Sequence, residues 1–168
     1  FEKNPIDINS EVMKTAIRDM ADCNVKSIMF AGEGEPLLHP DIVELTLLAK
    51  QKGLDVSITT NGVLFNEKMA EQILPVLSWI RFSVDAGTPE MHKKIHAGGT
   101  KDFEKIISNI KEAVSIKKRK NLSVVIGVQF LLIPDNIQDL VPFVSLFQKL
   151  GVDNVQIKPY SQHPLSNN

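Results

Sequence analysis

Trp79-Ile80-Arg81-Phe82-Ser83-Val84-Asp85-Ala86-Gly87, followed at once by Thr88-Pro89-Glu90, is the stretch that decides the fold. Apolar and polar residues alternate with a period of two. That places Ile80, Phe82 and Val84 on one face of a strand and Arg81, Ser83 and Asp85 on the other. Thr88 suits an N-cap, Pro89 the first helical position and Glu90 the positive end of a helix dipole, so a helix starts where the strand stops. A strand running straight into a helix is the unit of a parallel α/β sheet. The apolar face must pack on helices. Three polar side chains on the other face are costly unless something satisfies them, and a ligand site is favoured over a structural network.

The same alternation extends in both directions. Upstream, Asn9 or Ser10 caps a helix with Val12, Ala16, Ile17 and Met20 on its apolar face, and residues 25–31 read as a strand. His39-Pro40-Asp41 opens a helix with Pro at its first position and Gly53 closing it; residues 55–60 form a strand, and Asn66 caps the next helix. Downstream lie a helix at 103–116, a long β-branched strand at 122–133, a helix at 137–150 closed by Gly151, and a strand at 155–160. Five strands alternating with helices predict right-handed βαβ units in one parallel sheet.

The 168 residues, with 43% hydrophobic and 23% charged residues and net charge −1, allow one core and one domain over residues 1–168. No run reaches the length of a bilayer span, and the start has no signal-peptide pattern. Near-neutral charge argues against a general nucleic-acid or membrane-surface binder. The single cysteine, Cys23, is read as structural; one thiol excludes a disulfide framework, a zinc ribbon and a self-contained iron–sulfur site, and points to the cytoplasm. Lys117-Lys118-Arg119-Lys120 reads as positive charge closing a long helix. His39, His92, His96 and His163 lack metal-ligand spacing.

Ligands of parallel α/β sheets bind outside the carboxyl ends of the strands. The chain's glycines and unusual polar residues fall there: Ala31-Gly32-Glu33-Gly34-Glu35-Pro36, Thr59-Thr60-Asn61-Gly62, Arg81, Ser83 and Asp85, Gly127 and Gln129, then Gln156, Lys158 and Tyr160. Each signal alone is weak. Together, at one end of one sheet, they predict a small-molecule site.

Gly32-Glu33-Gly34-Glu35-Pro36-Leu37-Leu38-His39-Pro40 resembles the glycine–glycine–glutamate–proline motif of radical S-adenosylmethionine (SAM) enzymes, with Glu33 standing where the motif's first glycine falls. Arg81-Phe82-Ser83-Val84-Asp85-Ala86 is similar to that family's fourth strand, and Met91-His92-Lys93-Lys94-Ile95-His96 through Phe103 is similar to the family's sequence beyond that strand. The stretches around residues 59–62, 126–130 and 155–159 are similar to its third, fifth and sixth strands.

The resemblance implies a partial (β/α)6 barrel lacking its first strand, and reductive cleavage of SAM by a 4Fe–4S cluster to a 5′-deoxyadenosyl radical. By position, the motif residues Gly32, Gly34, Glu35 and Pro36 would form the SAM loop, Gly34 and Glu35 holding the methionine amine. Ser83 would contact the methionine carboxylate or the ribose. Asp85 and Gln129 would contact ribose or substrate. Thr59 and Asn61 would line the pocket, and the backbone at Lys158-Pro159-Tyr160 would flank the adenine.

The family's CxxxCxxC cluster loop has no counterpart in this sequence. The resemblance therefore implies a truncated core whose cluster loop and first strand precede Phe1, and a chain that holds no iron by itself. An electron-donor protein would be a partner of the full enzyme. Two other readings stay open: a cluster-free barrel that binds a nucleoside or peptide, and an aldol-type barrel with Lys158 as a Schiff-base residue.

Overall fold

The computed structural model describes residues 8–32, 34–96 and 100–160. Glu33, His163, the two chain ends and the glycines at 98 and 99 lie outside the described residues. The order is α1 (Ser10–Asp22), β1 (Ser27–Phe30), α2 (Ile42–Gln51), β2 (Asp55–Thr60), α3 (Glu67–Ile73), β3 (Leu77–Ser83), α4 (Pro89–Ile95), α5 (Thr100–Lys120), β4 (Val125–Leu132), α6 (Leu140–Leu150) and β5 (Asn154–Pro159).

Local chemistry sets most boundaries. The Asn9 carboxamide accepts the Glu11 and Val12 N–H groups at the start of α1, Asn66 accepts Met69 N–H, and Thr88 accepts Met91 N–H. Gly53 and Gly151 take left-handed φ values of +86° and +79° just past α2 and α6.

The start of α2 differs from expectation. Pro36, not Pro40, occupies a first helical position, in a 3₁₀ turn over Pro36–Leu38. The helix proper begins at Ile42 with Asp41 as its N-cap residue, and the Asp41 carboxylate accepts the Ser10 hydroxyl instead of a helix N–H.

The five strands are all parallel and lie in sequence order, β1-β2-β3-β4-β5. Parallel strands in sequence order, joined by crossovers of the usual right hand, put the crossover helices on one face. This is the winding of a barrel, and the sheet is an open part of one. β1 and β5 each pair with a single neighbour.

The helix-side face carries the core. Val56 and Ile58 of β2, Ile80 and Phe82 of β3, and Ile126, Val128 and Phe130 of β4 are all fully buried. Phe82 meets Phe65 edge-on at 5.3 Å, and Phe130 meets Phe143 at 4.8 Å. The other, concave face is polar and only partly covered: Thr59, Arg81 and Gly127 lie in one register row, Ser83, Gln129 and Gln156 in the next.

The basic run is neutralised locally. Lys117 pairs with Asp153, and Arg119 and Lys120 both pair with Glu71. Cys23, read as structural from sequence, is exposed at the end of α1. Among the described residues no helix is long and apolar enough to cross a membrane.

Candidate functional site

The C-terminal ends of β1, β2 and β3 surround an open cleft of about 370 Å³, within the range of small-molecule sites. Gly32, Gly34, Glu35, Thr59, Asn61 and Ser83, all expected from sequence, line it, and Ala31 and Thr60 join them. Pro36, Asp85, Gln129, Lys158 and Tyr160 do not.

The loop after β1 is held by a carboxylate. Glu35 Oε1 accepts the Leu37 N–H at 3.0 Å and the Thr60 hydroxyl at 2.7 Å, while Oε2 accepts the Asn61 N–H at 2.7 Å. Glu35 thus caps its own 3₁₀ turn and fastens that turn to the end of β2. The β2 end is locked in its turn. Thr60 accepts the Gly62 N–H, Asn61 Oδ1 accepts the Val63 N–H, and Gly62 has φ +81° with the Phe82 ring against its Cα.

This clamp leaves other groups available. Gly32 and Gly34 are exposed and make no backbone hydrogen bond to another described residue. No heavy atom lies within 4 Å of where a Cβ on Gly34 would stand. Among the described residues the Thr59 hydroxyl has only the Met29 sulfur, a weak acceptor, at 3.9 Å. The cleft therefore offers free backbone groups, two hydroxyls and an amide, held by a scaffold that is itself hydrogen-bonded.

Strand alternation fails at Asp85. β3 ends at Ser83, and Asp85 takes a left-handed φ of +56° that turns it out of the strand's pattern. Its Oδ1 accepts the Leu131 N–H at 2.6 Å, and its Oδ2 lies 3.4 Å from His96 Nε2. The fully buried Asn136 donates to the carbonyls of Asp85 and Leu131 and accepts the Ile133 N–H. Asp139 accepts both N–H groups of Gly87 and Thr88 and the Thr88 hydroxyl. Asp85, Asn136 and Asp139 thus form a structural strap between the ends of β3 and β4. Sequence reasoning missed Asn136 and Asp139; the only available signal was a polar cluster following a strand.

His96 and His92 flank this strap with rings 4.8 Å apart. The Asp85 hydrogen bond raises the His96 pKa above its usual value, against the effect of burial. Burial lowers that of His92, and the His96 charge adds to it. His92 Nδ1 is buried without a hydrogen-bond partner among the described residues.

Gln129 stands beside Ser83 in register, one strand over from the cleft. Lys158 and Tyr160 are exposed on and just beyond the edge strand β5. Among the described residues no group of three or more His, Cys, Asp or Glu side chains could hold a metal ion.

A family model described as the Radical SAM superfamily matches residues 2–147. The chain is 35% identical over 129 residues to a protein named probable GTP 3′,8-cyclase from Methanocaldococcus jannaschii, covering 76% of this chain and 40% of that one. Two solved structures of Streptococcus suis SuiB align with it. One has a TM-score of 0.77 at 17% identity, covering 96% of this chain and 36% of SuiB. The other, bound to S-adenosylmethionine, has a TM-score of 0.73 at 18% identity, covering 96% and 37%. The chain spans about 40% of the length of the curated relatives it matches.

Proposed function

The chain belongs to the Radical SAM superfamily, and on that footing we propose that it forms the SAM-binding part of an enzyme that abstracts hydrogen from its substrate. The observation that carries this reading is the clamp beside the cleft: Glu35 fastens the turn after β1 to the end of β2, while the Gly32 and Gly34 backbone groups make no hydrogen bond to another described residue.

The residues present fit SAM. The Gly34–Glu35 backbone would accept the methionine amine. Ser83 would donate to the methionine carboxylate or the ribose. Thr59 and Asn61 would wall the pocket, and Gln129, beside Ser83, would reach the ribose. The backbone near Lys158-Pro159-Tyr160 would flank the adenine. Asp85 acts at one remove, by holding the ends of β3 and β4 together. When bound, SAM supplies a 5′-deoxyadenosyl radical after one-electron reductive cleavage.

The residues do not fit the 4Fe–4S cluster. The sequence has one cysteine, and the described residues bring no ligand group together. Cluster ligation therefore falls to no residue of this chain. An electron-donor protein is the partner such an enzyme requires, and guanosine triphosphate, named for the relatives, is the first substrate to test.

That single cysteine favours one second reading, a cluster-free barrel that binds a nucleoside. The protein expressed from its natural reading frame separates the two. Incubated anaerobically with dithionite and SAM, it is expected to form 5′-deoxyadenosine. SAM binding without 5′-deoxyadenosine would instead establish the binding module.

A further inference from the structure

We infer that Arg81 anchors an anionic group, a carboxylate or a phosphate, of the molecule on which this protein acts, in a second cleft on the concave face of the sheet. The inference deepens the proposed function and rests on it for reading that molecule as the enzyme's substrate.

The three polar residues that alternate along the β3 segment have three different fates. Asp85 is consumed by Leu131 and His96. Ser83 lines the first cleft. Arg81 is left over. Its guanidinium lies over the Trp79 ring, 4.8 Å from the centroid, and makes no hydrogen bond or ion pair with any other described residue. Arg81 is nevertheless half-buried. Five donors on a half-buried cation without an acceptor are costly, and an anion removes that cost.

The surroundings suit an anion. Arg81, Trp79, Gly127, Asn154 and Gln156 line a cleft of about 250 Å³, and no carboxylate is among its described lining residues. Gly127 is the register partner of Arg81 on β4 and puts no side chain in the way. Gln156 lines this cleft too, and its buried Oε1 has no hydrogen-bond donor among the described residues. The Trp79 ring beneath the guanidinium carbon holds the cation in the cleft, and a guanidinium can bind two oxygens of one anion side by side. At the sheet's C-terminal end Lys94 is engaged with Asp135.

The position also suits a reacting molecule. Arg81 is two residues before Ser83 on the same strand, about 7 Å away at the usual strand rise. It pairs directly with Thr59, which lines the first cleft. A molecule held by its anionic end at Arg81 therefore extends toward the SAM cleft.

Trp79 is the only tryptophan in the 168 residues, so its fluorescence reports on this site alone. The full chain is titrated at constant ionic strength with tripolyphosphate and, separately, with citrate. A saturable change in Trp79 emission is expected. A response to tripolyphosphate alone identifies a phosphate, to citrate alone a carboxylate, and to both an anion site that does not separate the two. Arg81→Gln should weaken the midpoint at least tenfold. If that variant fails to fold by circular dichroism, Gln156→Glu, which sets a carboxylate in the same cleft, should weaken it similarly. No saturable change in the wild type, or an unchanged midpoint in the folded variant, overturns the inference. A calorimetric titration with S-adenosylhomocysteine, which does not depend on Trp79, distinguishes the two readings. Its failure with the Arg81-dependent response intact sinks the cofactor reading alone, and the reverse sinks the anion site alone.

Discussion

Glu35 and Thr60, on the ends of neighbouring strands, share a 2.7 Å hydrogen bond that fastens the loop after β1 to the end of β2. The same carboxylate takes the Leu37 and Asn61 N–H groups, so one side chain satisfies three donors. In Glu35→Gln, one of the two oxygens becomes an NH₂ group. Whichever way the amide turns, a donor then faces a donor. The expected cost is about 1–3 kcal/mol of stability, for a partly buried group left unsatisfied. SAM affinity should fall along with it, because the loop is no longer held. Urea unfolding and calorimetry on one preparation check both.

Gly34 and Gly87 separate binding from folding. A Cβ on Gly87 would lie 2.2 Å from Phe143 N and 2.6 Å from Phe143 Cα, both backbone atoms of α6 that cannot turn aside. Gly87→Ala is expected to cost about 3 kcal/mol, the upper range of overpacking. A Cβ on Gly34 would meet nothing within 4 Å. Gly34→Ala should leave stability within about 0.5 kcal/mol of wild type, yet weaken SAM binding by filling the cleft. Melting curves and SAM titrations of the two variants give opposite patterns.

The Asp85–His96 contact predicts a pH dependence of known sign. His96 has a raised pKa in the folded chain, so its contribution is fully present below its unfolded value near 6.5 and is lost as pH rises through the folded value. Asp85→Asn keeps an oxygen for Leu131 N–H but removes the charge facing His96. Wild type should therefore be more stable than Asp85→Asn by a larger margin at pH 6 than at pH 9. His92, facing His96, Asp85 and Asp102, has a lowered pKa. Its contribution is lost as pH falls below about 6.5, and this occurs in both proteins. Thermal melts at the two pH values read the difference.

Much of this architecture was legible in the sequence because the relevant forces are local. The caps Asn9, Asn66 and Thr88 sit where short polar side chains precede apolar periodicity, and all three make the cap hydrogen bond. The burial of Ile80 and Phe82 against the partial exposure of Arg81 and Ser83 follows from period two alone. Legibility ended where a backbone leaves its regular path. Alternation puts Asp85 on the face of Arg81 and Ser83, but its left-handed φ turns its carboxylate to the amide of Leu131, a partner no spacing rule names. Pro40 reads as a helix start because nothing in sequence shows that Glu35 would cap a 3₁₀ turn at Pro36 first. Arg81 was visible only as one of three inward polar groups, until the structure gave Asp85 to Leu131 and His96 and Ser83 to the first cleft.

The central claim is that the cleft at the ends of β1, β2 and β3 takes SAM. Amide resonances of the isotopically labelled chain, followed during titration with SAM, test it most directly. The predicted result is saturable shifts concentrated at Gly32, Gly34, Asn61 and Ser83, with the amides of α5 and α6 unmoved. Saturable shifts that leave those four amides still and gather elsewhere, or no shifts at all, would contradict it.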